Sequence, residues 1–278
     1  MTDLLNAHPL DLATHLTPLA DDRFGGATHP AYGNMVGPFG GIIAATMLNA
    51  PMLHRERIGD PLALTVNYAG PIADGEFSID ALPSRTNRST QHWSLALKQD
   101  GTTAITATAI FAKRRDTWSA TEAGFPDVPA PESLERTPPG SRNAWTHRYD
   151  MRFVRGGIPT PGDADASAAK PADDSVSWVW IRDLPARPLD FLSLASICDA
   201  FFPRVYVRRQ QFLPASTVSM TIYFHVDCEQ LAAHGDQAVL GTARASHFGK
   251  GYHDQAVEIW SRDGVMLATS HQVVYYKD

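Results

Sequence analysis

Two rhythms of hydrophobic and polar positions run along the chain, and each occurs once in either half. After Gly37-Pro38-Phe39-Gly40-Gly41 an apolar run continues to Leu53 with little polar interruption, which predicts a helix buried on nearly every side. Ahead of it the pattern predicts a helix over 10–19 and a Gly-rich strand over 24–32. Behind it, period-two alternation predicts strands over 62–68, 76–84, 91–98 and 102–112. The last two meet at Gln99-Asp100-Gly101, and an Asp-Gly step between alternating segments is a strong hairpin signal. The second half repeats the series: strands over 144–154 and 175–181, a helix over 189–202, then strands over 217–225, 238–246, 255–261 and 265–276.

Turn residues punctuate this order. Residues 118–141 hold Pro126, Pro129, Pro131, Pro138 and Pro139 and read as a linker, whereas 156–174, dominated by Gly, Pro, Ala, Asp and Ser, reads as a surface loop. The expected organisation is a first unit over 1–117, the Pro-rich linker over 118–141 and a second unit over 142–278. The units superimpose by element order: Asp100-Gly101 and Asp263-Gly264 take the same hairpin position, and Leu48-Asn49-Ala50 lies over Cys198-Asp199-Ala200. A long helix followed by four antiparallel strands makes a curved sheet wrapped round a central helix, and two copies can complete one structure.

Composition narrows the classes without choosing among them. The 278 residues are 44% hydrophobic and 19% charged with a net charge of −6, which suits a globular chain long enough for a continuous core. The cations form only short steps, Lys113-Arg114-Arg115 and Arg208-Arg209, so no nucleic-acid surface is expected. Two cysteines, Cys198 and Cys228, make neither a disulfide framework nor a cysteine-rich metal site, and the reducing cytoplasm is the expected location. The N-terminus lacks the basic and apolar regions of a signal peptide, and the apolar run ending at Leu53 is too short and too interrupted to span a bilayer.

Common catalytic signatures are missing: no Gly-x-Ser-x-Gly elbow, no phosphate-cradling Gly-x-x-x-x-Gly-Lys-Ser/Thr loop, no His-Glu-x-x-His helix. Gly249-Lys250-Gly251 lies between strands and reads as a turn, and the eleven histidines show no ligand spacing. More informative is Asp199, on a predicted helix that is apolar nearly all round. A carboxylate buried there must be hydrogen-bonded, matched to a charge or protonated, and backbone groups or Arg204 are candidate partners. Its counterpart in the first unit is Asn49, which hydrogen-bonds but is no base, so one active site per chain is expected. Alternation places Val218, Met220, Ile222 and Phe224 on one face of a strand and Thr217, Ser219, Thr221 and Tyr223 on the other, while Gln272 shares a face with Ala268, Ser270 and Val274. Cys198 adjoins Asp199 but points about 100° away around a helix, and reads as a core residue.

These residues resemble a known family, the double-hotdog acyl-CoA thioesterases, and are similar to the bacterial acyl-CoA thioesterase II type. The likeness is carried by Gly37-Pro38-Phe39-Gly40-Gly41, Asn67-Tyr68-Ala69-Gly70-Pro71 and Arg85-Thr86-Asn87-Arg88-Ser89 in the first half. In the second half it rests on Leu194-Ala195-Ser196-Ile197-Cys198-Asp199, on the run from Ser216 to His225 and on the run from Asp263 to Gln272. The resemblance implies an α+β double hotdog, two tandem units each with a long central helix wrapped by a curved antiparallel sheet. It also implies hydrolysis of acyl-CoA by a water that Asp199 activates as general base and that Thr217 and Gln272 orient, without a metal or cofactor. The oxyanion would be met by backbone N–H groups of Gly40 and Gly41 at the start of the first helix. Acyl-CoA is the expected partner and a homodimer or higher homo-oligomer the expected assembly. Arg85, Arg88, Lys113 or Arg114 could meet the phosphates of coenzyme A.

Two other classes share the fold. An acyl-CoA hydratase would need a histidine partnered with the aspartate, and 200–207 offer none. A non-catalytic acyl-CoA or lipid-binding protein would bind without turnover, since fold does not fix function.

Overall fold

The apolar run of the first half forms helix α2 (Gly40–Leu53), whose side chains are buried on every side from Gly41 to Leu48. Its neighbours explain the all-round apolarity, because the concave sheet faces one side and helix α3 (Phe191–Ile197) lies against another. The structure is a computed structural model that describes residues 7–141, 143–158 and 171–277.

The first half supplies strands β1 (Thr17–Ala20), β2 (Arg23–Ala27), β3 (Asp60–Tyr68), β4 (Glu76–Thr86), β5 (Thr90–Gln99) and β6 (Thr102–Ala112). The second supplies β7 (Tyr149–Arg155), β8 (Ser177–Asp183), β9 (Ala215–Phe224), β10 (Val239–Arg244), the short β11 (Phe248–Gly249), β12 (Tyr252–Trp260) and β13 (Met266–Tyr276). They form one antiparallel sheet in the order β1-β2-β4-β5-β6-β3-β9-β13-β12-β10-β8-β7, with β11 paired to β12. From the centre outward the two arms read alike: the first strand after the helix, then the last strand of the unit, then the earlier ones in turn. This is the sheet of a duplicated unit, closed across a seam where β3 pairs with β9. The register there puts Thr65 opposite Thr221, with their hydroxyls 3.0 Å apart, and Ser219 Oγ donates to Asn67 Oδ1 at 2.9 Å. The result is the α+β double hotdog, and one hydrophobic core runs through both halves.

Several expected elements differ in extent. The helix expected over 10–19 is only α1 (Pro9–Ala13), because Thr17–Ala20 pairs with β2 as an edge strand. The strand expected over 24–32 ends at Ala27, and Pro30–Tyr32 is a 3₁₀ turn. Likewise Ala144–Arg148 is a 3₁₀ turn ahead of β7. The sequence patterns did not predict α4 (Arg204–Arg209) or α5 (Cys228–His234), the latter started by a capping box on Asp227 and Gln230. The Pro-rich 118–141 segment packs on the outer face of the second arm, where Trp180 Nε1 donates to the Pro129 carbonyl at 2.9 Å and Phe125 meets Trp260 edge to face. Of the loop expected over 156–174, residues 159–170 lie outside the described residues, and an Arg155–Asp174 ion pair at 2.8 Å ties its two flanks. Among the described residues no helix is long and apolar enough to cross a membrane.

Candidate active site

Helix α3 starts at a strong cap, the Asp190 carboxylate accepting the Ser193 N–H at 2.8 Å, and stops after two turns. Its last turn tightens: Asp199 N–H bonds the Ser196 carbonyl and Ala200 N–H the Ile197 carbonyl, the shorter i→i+3 spacing that often ends a helix. Asp199 therefore sits on the turn after α3, not in the middle of a helix over 189–202. From there its carboxylate meets the first turn of α2. A Cβ on Gly40 would stand 2.6 Å from Asp199 Oδ2, and one on Gly41 would stand 2.4 Å from the Ser196 carbonyl oxygen. Only hydrogen in place of a side chain lets the two helices come this close.

Thr217 reaches the same place through an irregularity. In the β9–β13 ladder Ser219 opposes Val273 while Thr217 opposes Val274, so Val218 is an extra residue. This β-bulge leaves Val218 exposed and turns Thr217 to the inner face with Met220, overturning the simple alternation that put Thr217 with Ser219 and Thr221. Gln272 needs no such device, since Ala268, Ser270, Gln272 and Val274 of β13 are all buried on the inner face.

Together these groups form a chain of hydrogen bonds. Thr217 Oγ1 donates to Gln272 Oε1 at 3.1 Å, and Gln272 Nε2 donates to Asp199 Oδ1 at 2.9 Å and to Met220 Sδ at 3.3 Å. The Gly41 backbone N–H also faces the Asp199 carboxylate closely enough to favour its charged form. Burial drives the Asp199 pKa up to about 7, and the Gln272 and Gly41 donors work against that rise. A carboxyl group titrating there is a usable proton acceptor near neutral pH.

Tyr68 completes the surroundings: its hydroxyl donates to the Gly40 carbonyl at 2.8 Å, and its pKa is raised by burial and by the charge of Asp199. The sequence had marked Tyr68 only as part of a motif. Asp199, Thr217, Gln272, Gly40 and Tyr68 open onto a cavity of about 530 Å³ walled mainly by apolar side chains, Phe39, Ile43, Ile105 and Phe201 among them. Its size falls in the range of small-molecule sites, and no histidine is among its lining residues.

Other sequence candidates have different employment. Arg204 does not touch Asp199; its guanidinium donates to Phe202, Ser175, Ser177 and Gln255. Gly40 and Gly41, expected to meet the oxyanion, lie in the first turn of α2 beside Asp199. Asn49 donates to the Thr14 carbonyl at 2.8 Å, a structural contact. The Cys198 thiol is fully buried and its pKa is pushed up by burial and by Asp199, which removes it as a nucleophile. Arg85, Arg88, Lys113 and Arg114 cluster at the end of the strands away from the cavity. Ile105 lines the cavity near the start of β6, and Lys113 follows the strand's other end, roughly 25 Å on at the usual strand rise. Arg114 there bridges the carbonyls of Pro61 and Phe224 across the seam.

Residues 29–112 match the acyl-CoA thioesterase N-terminal domain and residues 123–276 the acyl-CoA thioesterase C-terminal domain. No curated protein matches the chain. Among solved structures it is similar to a conserved protein of unknown function with hot dog fold from Alicyclobacillus acidocaldarius, with a TM-score of 0.91 and 47% identity over 98% of this chain and 99% of that one. An acyl-CoA thioesterase II from Mycobacterium marinum shares the fold, with a TM-score of 0.74 and 17% identity over 96% of this chain and 98% of that one. With its two domains in tandem over one continuous sheet, the chain belongs to the acyl-CoA thioesterase family.

Proposed function

We propose that the protein hydrolyses acyl-CoA to a free acid and coenzyme A, with Asp199 as general base. The observation that carries this reading is the Asp199 carboxylate itself: buried, poised near neutrality and opening onto an apolar cavity. An acyl chain would lie along the apolar wall, which excludes bulk water from the thioester.

In the reaction a water bound between Asp199 and Thr217 attacks the thioester carbonyl carbon while Asp199 takes its proton. The tetrahedral intermediate collapses with cleavage of the carbon–sulfur bond, and the proton on Asp199 passes to the departing thiolate. Water supplies the hydroxyl of the acid and the hydrogen of the thiol, so no covalent acyl-enzyme forms. Gln272, with both N–H groups spent on Asp199 and Met220, fixes the carboxylate and leaves Thr217 to meet the water. The backbone N–H groups of Gly40 and Gly41 at the start of α2 are the backbone candidates for the oxyanion.

The test is thiol release from short-, medium- and long-chain acyl-CoAs. Wild type should turn over at least one of them, and Asp199→Asn should be slower by about 10²-fold or more. Equal rates for the two proteins across the whole panel would reject the hydrolase, and tight binding without turnover would favour a binding protein.

A further inference from the structure

Arg204 is buried to 1% exposure and, among the described residues, touches no carboxylate. A buried cation is normally matched by an anion, because desolvation is otherwise costly. Here the guanidinium rests on neutral acceptors: the carbonyls of Phe202 and Ser175, the Ser177 hydroxyl and, at 3.1 Å, Gln255 Oε1. Burial lowers its pKa to about 9, which still leaves it charged at neutral pH.

The last of these contacts settles how Gln255 is turned. A guanidinium can only donate, so the amide must offer Arg204 its oxygen, and its NH₂ group points elsewhere. Gln255 is itself 1% exposed, lines the same cavity as Asp199, and stands directly opposite Gln272 in the β12–β13 register. Directly opposed side chains on one face lie roughly 5 Å apart at Cβ. Among the described residues the only hydrogen bond of its side chain is the one its Oε1 accepts from Arg204, and Nε2 donates none. An amide donor on a cavity-lining side chain, held by a cation beside the base and without a partner among the described residues, is prepared for an acceptor that arrives with the substrate.

We infer that Gln255 donates from Nε2 to the carbonyl oxygen of the bound thioester and strengthens that bond as the oxygen becomes negative, and that Arg204 is the positioning residue that aims it. This rests on the thioesterase reading and adds a donor to it. The Gln272 amide cannot serve, since its hydrogens are already committed.

Two variants and two ligands test the inference. Gln255→Glu keeps an oxygen for Arg204 but removes the donor, and Gln255→Met removes both. For each, the pH-independent limit of kcat should fall about 10²-fold or more with KM within a few-fold of wild type, as for loss of an oxyanion donor. If Arg204 acts through Gln255, Arg204→Lys combined with Gln255→Met should lose no more kcat than Gln255→Met alone, because independent effects would multiply. In binding, Gln255→Met should weaken a 2-oxoalkyl-CoA, which retains a carbonyl, about fivefold or more, and leave an alkyl-CoA thioether unchanged. A kcat within threefold of wild type, an effect on KM alone, or equal loss for both ligands would overturn it. The binding pair decides the role of Gln255 even if no acyl-CoA in the panel is hydrolysed, so failure of this inference is distinguishable from failure of the hydrolase reading.

Discussion

The side-chain amide of Gln272 donates to Asp199 Oδ1 over 2.9 Å, joining the middle of β13 to the turn after α3. Because a hydrogen bond donated to a carboxylate favours its charged form, this contact holds down a pKa that burial alone would push higher. Gln272→Met fills the space without the donor. The acidic limb of its kcat/KM profile should move to higher pH than in wild type, and its plateau should fall about tenfold or more. A pH–rate series on both proteins reads the two effects separately, and an unmoved limb would mean that Asp199 is not the titrating base.

Activity and stability should respond to pH in opposite directions at Asp199. Turnover needs the ionised base, so wild-type kcat/KM should rise with pH and level off above about 7. For folding, the native pKa lies above the unfolded value of about 4. Between about pH 4 and 7 the native state therefore holds a proton that the unfolded chain has released, and stability falls as pH rises through that window. Full ionisation costs on the order of 4 kcal/mol. Asp199→Asn does not titrate, so its melting temperature minus that of wild type should grow between pH 4 and 7 and then stay constant. Asp183, buried with its pKa raised to about 6, adds the same trend to both proteins and cancels in the difference. A difference independent of pH would show that Asp199 titrates normally in the fold.

The alternation of β9 treats Thr217, Ser219 and Thr221 alike, yet the bulge at Val218 separates them. Thr217 faces Gln272, while Ser219 and Thr221 bond across the seam to Asn67 and Thr65. Thr217→Val should therefore lower kcat about fivefold to tenfold with little change in stability, as expected for one lost hydrogen bond at the reacting water. Ser219→Ala should do the reverse, leaving kcat unchanged and costing about 1 kcal/mol in a urea melt. Equal kinetic effects from the two variants would place both hydroxyls on the same face and remove the bulge from the account.

That bulge shows where sequence patterns stop being informative. Long apolar or alternating runs, such as Gly40–Leu53 and Thr102–Ala112, are legible because every turn or every second residue repeats the signal. The Asp100-Gly101 hairpin is legible because both residues take positive φ, 50° and 76°, which Asp-Gly tolerates. A one-residue insertion in a ladder depends on the partner strand, which the local sequence does not contain. The end of α3 at Ile197 also depends on contacts, since the apolar run continues to Phe202 and only the i→i+3 turn at Asp199 stops the helix. The sequence could offer Arg204 only as a partner for Asp199, and its contact with Gln255 was not legible for the same reason: it spans 51 residues. Asp199, Thr217 and Gln272 could be named in advance through family resemblance, whereas the partners that set their geometry could not.

Two adjacent glycines should fail in different ways. At Gly41 a methyl group would stand 2.4 Å from the Ser196 carbonyl oxygen and 2.6 Å from the Phe39 ring, both held in the core. Gly41→Ala must part α2 from α3, so it should cost about 1–3 kcal/mol or more in a urea melt, with activity lost as the fold loosens. At Gly40 the nearest atom is Asp199 Oδ2 at 2.6 Å, the end of a side chain that can rotate, with Tyr68 Oη next at 3.5 Å. Gly40→Ala should therefore keep most of its stability while displacing the base. Because a shift of about 1 Å at a reacting group can cost about 10²-fold, kcat should collapse in a folded protein. Full activity in Gly40→Ala would mean that the carboxylate works from another position than the one that Gln272 gives it.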